Sequence, residues 1–155
     1  MAGGSQRHNI ISVNLTTALN AHLPDRCVAY MADMKVRIRL ERAEFFYYTD
    51  SMVCSGPADQ SLDWRDNPLV LAEVLSPSTI SFDRFRKLEE YKTVAEIEVI
   101  LMIDTEAAQV TIHRRRQRLW EAETVEGLDA VISFEGVIEA ELADDVEQQR
   151  DVLRA

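Results

Sequence analysis

Pro68-Leu69-Val70-Leu71-Ala72-Glu73-Val74-Leu75-Ser76-Pro77-Ser78-Thr79 is the stretch on which the reading of this chain turns. Its first part is a near-continuous apolar run, the pattern of a central strand buried on both faces rather than a half-wet one that alternates. Ser76-Pro77-Ser78-Thr79 breaks that run. Phe82, Phe85, Leu88, Tyr91 and Ala95 then trace an amphipathic helix, with Arg84, Lys87 and Glu90 on its other side. Strand, break and helix in that order predict an α/β fold.

Working outward, Ile97 to Ile103 is a second β-rich run, Asp104 to Ala107 reads as a turn, and Val110 and Ile112 alternate with Thr111 and His113 on the return. A hairpin is expected there. Towards the N-terminus, Met34, Val36, Ile38 and Leu40 alternate with Lys35, Arg37 and Arg39, the period of two of a strand with one wet face. A second strand is expected from Phe45 to Cys54, and residues 55–67, rich in Gly, Pro, Asp and Ser, read as a loop. Ile11, Leu15, Ala18 and Leu19 form a helical stripe, with His22 next on that face, that Ser5 would cap and Pro24 would end. Beyond Trp120 the pattern weakens; Val131 to Phe134 suggests one more strand.

The 155 residues suit one domain, 1–155, with an ordinary globular composition of 46% apolar and 28% charged residues. The net charge of −10 excludes a protein coated in basic residues for nucleic acid. Its position is more informative than its sum. Segment 119–149 holds ten acidic residues and no Lys or Arg, so the remainder is balanced. In that remainder the basic residues cluster as Lys35, Arg37, Arg39 and Arg42, then Arg84, Arg86, Lys87 and Lys92, then Arg114, Arg115, Arg116 and Arg118. These are solvated faces or local strips for phosphate, one basic face standing opposite an acidic C-terminal segment. Cys27 and Cys54 match neither a metal site nor a disulfide framework, and reduced buried thiols in a cytoplasm are expected. No apolar run reaches the length of a membrane helix.

The chemical anomaly is Glu73, a carboxylate inside an apolar strand, because burying that charge without compensation costs several kcal/mol. An ion pair with Lys or Arg, or a divalent cation, would compensate it. Asp50 lies in the preceding strand segment, and two neighbouring strands can bring its oxygens and those of Glu73 to one Mg²⁺; a turn or edge carboxylate in water is the plainer reading of Asp50. Lys87, on the helix that leaves the Glu73 strand, is placed to reach the same corner or to pair with Asp83 one turn back. His8 starts a helix, His22 belongs to a helix face and His113 to a strand end; Trp64 anchors a loop or stacks on a base, and Trp120 is a core or dimer contact. No Walker loop, G-x-S-x-G elbow, G-x-G-x-x-G fingerprint or H-E-x-x-H zinc motif is present.

Gly3-Gly4-Ser5 with His8 and Asn14-Leu15, Asp33-Met34-Lys35-Val36, Thr49-Asp50 with Met52-Val53-Cys54, and above all Glu73-Val74-Leu75-Ser76-Pro77-Ser78-Thr79 followed by Asp83, Lys87 and Tyr91, come in the order and spacing of a known family. The chain resembles the Uma-type restriction endonuclease family of the PD-(D/E)xK nuclease superfamily, from Gly3 to about Arg114. The resemblance implies a restriction-endonuclease-like curved, mixed β-sheet flanked by helices, and a metal-dependent nuclease that cleaves phosphodiester bonds, in DNA. It implies Asp50 and Glu73 as catalytic metal ligands, with the Val74 carbonyl a further ligand, for Mg²⁺ or Mn²⁺. Leu75 stands where the superfamily's lysine would be, so the resemblance assigns that catalytic role to Lys87. Lys35, Arg84 and Arg86 are the expected substrate-binding cations, and His8 is a further candidate near the site. Relatives carry a helix and hairpin ahead of the Gly-Gly-Ser block, so a chain that opens at that block is expected to expose apolar edge surface and bury it in a homodimer. The alternative is a catalytically inactive protein of the same fold whose acidic segment binds a protein partner.

Overall fold

The computed structural model describes residues 5–56, 63–76, 82–127, 131–134 and 137, apart from the side chains of Phe82 and Asp83. In chain order the elements are α1 (Gln6–Ala21), β1 (Cys27–Met31), β2 (Lys35–Leu40), β3 (Ala43–Tyr48), β4 (Ser51–Ser55), β5 (Trp64–Arg65), β6 (Pro68–Leu75), α2 (Phe82–Lys92), β7 (Val99–Asp104), β8 (Gln109–Arg116) and β9 (Leu119–Glu126). Ser5 caps α1 by accepting the main-chain N–H of His8 at 3.2 Å.

A six-stranded sheet runs β1-β4-β6-β7-β8-β9, and a three-stranded sheet runs β3-β2-β5. The expected central strand is β6, antiparallel to β4 and parallel to β7, with α2 in the crossover between the two parallel strands. Side chains alternate across it. Val70, Ala72 and Val74 join the core beneath Leu15 and Leu19 of α1 and beneath Ile132 and Phe134. Leu71 points to the other face, into a second core built by Val36 and Ile38 of the small sheet, Met52 and Cys54 of β4, and Tyr91 of α2. The large sheet is thus covered on both faces, which is why β6 reads as continuously apolar.

The hairpin is β7 and β8, as the alternation predicts, but several boundaries differ. The strand expected from Phe45 to Cys54 is two strands in different sheets, divided at Thr49-Asp50. β3 lies on β2, whereas β4 turns into the large sheet between β1 and β6. β1, β5 and β9 form where no strand was expected, β5 within the segment 55–67 read as a loop, and residues 131–134 pack as irregular chain rather than as a strand. β9 carries the first acids of the 119–149 segment and lies beside the arginines of β8, with Arg114 on Glu123 at 3.2 Å and Arg116 on Glu121 at 3.5 Å. That basic cluster and the start of the acidic segment are cross-strand neighbours, not opposite faces. Arg115 is likewise occupied, donating to the carbonyls of Ile97 and Val94 at 2.6 Å.

The face of α2 also differs from the periodicity. Leu88 and Tyr91 pack inward as the periodicity predicts, but Phe85 is 66% exposed, and Arg84 and Lys87, expected on the wet side, turn inward. Glu73 decides this: a buried carboxylate draws cations and a hydroxyl to itself more strongly than one phenyl ring draws the helix the other way. Cys27 and Cys54 are buried and are not joined in a disulfide. Among the described residues, no helix is long and apolar enough to cross a membrane.

Candidate active site

The site forms where β4 begins and β6 ends. In the register Ser51 opposite Ala72, extending β4 backwards would place Thr49 opposite Val74. The chain leaves the sheet there instead. The Asp50 carboxylate takes the place of the missing strand, its Oδ2 accepting the main-chain N–H of Val74 at 2.7 Å, while the Asp50 N–H donates to the Ala72 carbonyl at 3.1 Å. Asp50 is thereby fixed against the residue that follows Glu73. Its other oxygen, Oδ1, stands 3.1 Å from Nε2 of His8 on α1.

Glu73 projects from β6 towards α2 and is only 6% exposed. Its Oε1 lies 2.6 Å from Nζ of Lys87 and accepts the Tyr91 hydroxyl at 2.7 Å. Burial pushes the Glu73 carboxyl above its ordinary value; the Lys87 charge and hydrogen bond pull it back, and the Asp50 charge pushes it further up. The two acids therefore feel each other. The Tyr91 phenol is pushed well above its ordinary value, first by burial and then by the Glu73 charge, so it serves as a hydrogen-bond donor.

Lys87 spans two elements, for its Nζ also donates to the Tyr48 carbonyl at 2.6 Å, and it lies over the rings of Tyr47 and Tyr91 at 5.7 and 5.5 Å. Arg84 donates through Nη2 to the Val74 carbonyl at 3.3 Å. Among the described residues its buried Nη1 has no hydrogen-bond partner. Burial lowers the Arg84 value, and Glu73 and Asp50 raise it.

Of the residues singled out from sequence, His8, Asp50, Glu73, Val74, Arg84 and Lys87 come together. Lys35 and Arg86 do not join them: Lys35 lies over the Tyr48 ring at 5.4 Å, and Arg86 pairs with Glu90 at 2.8 Å and covers the Phe45 ring. The Asp83 side chain, the expected alternative partner of Lys87, lies outside the described residues. The sequence places Tyr91 on the apolar helix face and in the family block, but gives it no part in the site. The signal that could have exposed it is its spacing, one helical turn beyond Lys87.

Among the described residues no group of three or more His, Cys, Asp and Glu side chains is gathered around a common point. What the site offers instead is two carboxylates and one main-chain carbonyl, all hard oxygen donors. That set fits Mg²⁺ or Mn²⁺, since Mg²⁺ is commonly held by one or two carboxylates with water completing its shell.

The fold is a mixed α/β one, with a pair of acids at one end of its large sheet. A crystal structure from Anabaena variabilis ATCC 29413, described as "a putative nuclease belonging to DUF820", superposes with a TM-score of 0.71 at 16% identity, covering 88% of this chain and 76% of that one. The chain belongs to the Uma2 family, described as "Putative restriction endonuclease", whose model matches residues 1–147. It is 31% identical over 139 residues to the uncharacterized protein sll1609 of Synechocystis sp. (strain ATCC 27184 / PCC 6803 / Kazusa), covering 86% of this chain and 77% of that protein. It is 29% identical over 117 residues to slr1290 of the same organism, where the match spans 74% of this chain and 60% of the relative.

Proposed function

We propose that this protein is a metal-dependent nuclease that hydrolyses phosphodiester bonds in DNA, with Asp50 and Glu73 holding Mg²⁺ or Mn²⁺ and Lys87 serving the reaction. The observation that carries the reading is the seating of the Asp50 carboxylate on the Val74 N–H, beside a buried Glu73 paired with Lys87. A divalent cation bound there would acidify a coordinated water and neutralise charge on the phosphate. The chain's own groups supply the rest. Asp50 and Glu73 provide the negative charge that concentrates the cation, the Val74 carbonyl being a further candidate ligand. Lys87 brings an ammonium to the carboxylate edge, where it orients the attacking water and offsets charge that grows in the transition state. Tyr91 and the Tyr48 carbonyl hold Glu73 and Lys87 in place. Arg84, with one buried N–H bond donor unsatisfied, is a donor for a phosphate oxygen. His8 steadies Asp50. The same reading takes the protein to work in the cytoplasm as a homodimer.

A second reading is favoured by one observation, the closed contact of Glu73 with Lys87 and Tyr91: a nuclease fold kept without the chemistry, serving as a protein-interaction module. Plasmid and single-stranded DNA, incubated with Mg²⁺ or Mn²⁺ and the purified chain beside Glu73→Ala, separate the two. Cleavage by the first and none by the second is the expected result. Cleavage by both would place the activity elsewhere, and none by either would favour the second reading.

A further inference from the structure

Val36 and Ile38 are fully buried, so Lys35, Arg37 and Arg39 lie on the outer face of β2. The register of β3 sets Tyr48 opposite Lys35, Phe46 opposite Arg37 and Glu44 opposite Arg39, and β5 places Trp64 beside Lys35. This face interleaves cations and rings. Lys35 stands over the Tyr48 ring at 5.4 Å, Arg37 over the Trp64 ring at 5.0 Å, and Phe46 meets Trp64 edge-on at 5.6 Å. Phe46 and Tyr48 are nevertheless 43% and 50% exposed, a costly use of aromatic area on a surface. Glu44 and Asp66 pair with Arg37 and Arg39, which fixes the guanidiniums, and Lys35 adds one cation beyond those pairs.

The face leads into the candidate active site. Tyr48 ends β3, its carbonyl accepts from Lys87, and Asp50 follows two residues on. We propose that the outer face of the small sheet is a stacking platform for single-stranded nucleic acid, with Phe46 and Tyr48 receiving unpaired bases and Lys35 and Arg39 receiving phosphates. Exposed rings alternating with cations on a strand suit bases whose faces are free, whereas a duplex hides those faces in its own stack. Charge complementarity and continuity with the site name the occupant. The proposal rests on the nuclease reading for its biological sense but not for its test.

The test is fluorescence anisotropy in EDTA, where no metal-dependent cleavage intervenes, using labelled single-stranded DNA, single-stranded RNA and a DNA hairpin duplex. The wild-type chain is compared with Phe46→Ala/Tyr48→Ala and with Phe46→Leu/Tyr48→Leu, which keeps apolar bulk but removes the ring faces. Both substitutions are at exposed positions, and circular dichroism checks the fold. Single-strand Kd should rise about tenfold or more in both variants, with duplex binding little changed. DNA and RNA arms that respond alike indicate recognition of base faces, and a response in one arm alone adds the sugar as a determinant; either supports the platform. Equal losses on duplex and single strand, no loss on either, or loss only of self-association in sedimentation would overturn it. Binding that behaves as expected in a chain that cleaves nothing with Mg²⁺ or Mn²⁺ would leave the platform standing and remove the nuclease reading.

Discussion

Lys87 Nζ lies 2.6 Å from Glu73 Oε1 and 2.6 Å from the Tyr48 carbonyl, so one ammonium joins the central strand of the large sheet to the last residue of β3 in the small one. Lys87 is therefore a structural strut between the two sheets as well as the lysine of the proposed site. Lys87→Ala should lower a metal-dependent cleavage rate by about 10²-fold or more, with a smaller effect on the affinity for Mn²⁺ measured by calorimetry. Losing metal affinity and rate in equal measure would show that Lys87 acts by shaping the carboxylates.

Asp50 carries two duties that a single substitution can separate. Asp50→Asn keeps an acceptor for the Val74 N–H but removes the negative charge, whereas Asp50→Ala removes both. The Asn variant should keep close to wild-type stability and lose Mn²⁺ binding. The Ala variant should lose binding and about 1–3 kcal/mol of stability as well, read from urea midpoints.

Tyr91 is fully buried and donates to Glu73. Tyr91→Phe removes one oxygen from a packed site and leaves the carboxylate with one donor fewer, at a cost of about 1–3 kcal/mol. The expected change is a lower urea midpoint at unchanged m-value.

Asp66 accepts from the Arg37 guanidinium, and that hydrogen bond holds its carboxyl below its ordinary value of 3.8 against the opposing effect of burial. The folded-state value is depressed, so the contribution is present above the unfolded value and is lost as pH falls through the folded one. Asp66→Asn should therefore unfold at lower urea than wild type at pH 7. The two curves should converge as the pH drops below about 3.8. A difference that persists in strong acid would mean that packing, not charge, accounts for it.

Phe85 and Leu88, both on the expected apolar face of α2, separate the position that departs from it from the one that follows it. Phe85→Ser should change stability by no more than about 0.5 kcal/mol because the ring is exposed, while Leu88→Ser, packed against the second core, should cost about 1–3 kcal/mol. Thermal melts of the two variants decide between this arrangement and the one that periodicity alone suggests.

The central strand, the hairpin, the capped first helix and the presence of a carboxylate inside the apolar run are legible from the residues alone, because each of these is local. A run of apolar residues from Pro68 to Leu75 has few ways to hide from water, and a carboxylate within it must find a partner wherever it folds. The alternation at Lys35–Leu40 fixes which side chains face inward before any other element is placed. The remaining features are non-local. Nothing in the sequence from Phe45 to Cys54 reveals that the chain changes sheets at Asp50, since both strands have strand-like residues and the break exists only because β1 and β6 offer β4 a separate place to pair. The strand at Cys27–Met31 and the acidic β9 have weak signals of their own and gain order from the edges they join. The inward turn of Arg84 and Lys87 has the same origin. Helical periodicity counts apolar residues, but the orientation of α2 is set by a charge on another strand, which becomes costly only after β6 has been buried.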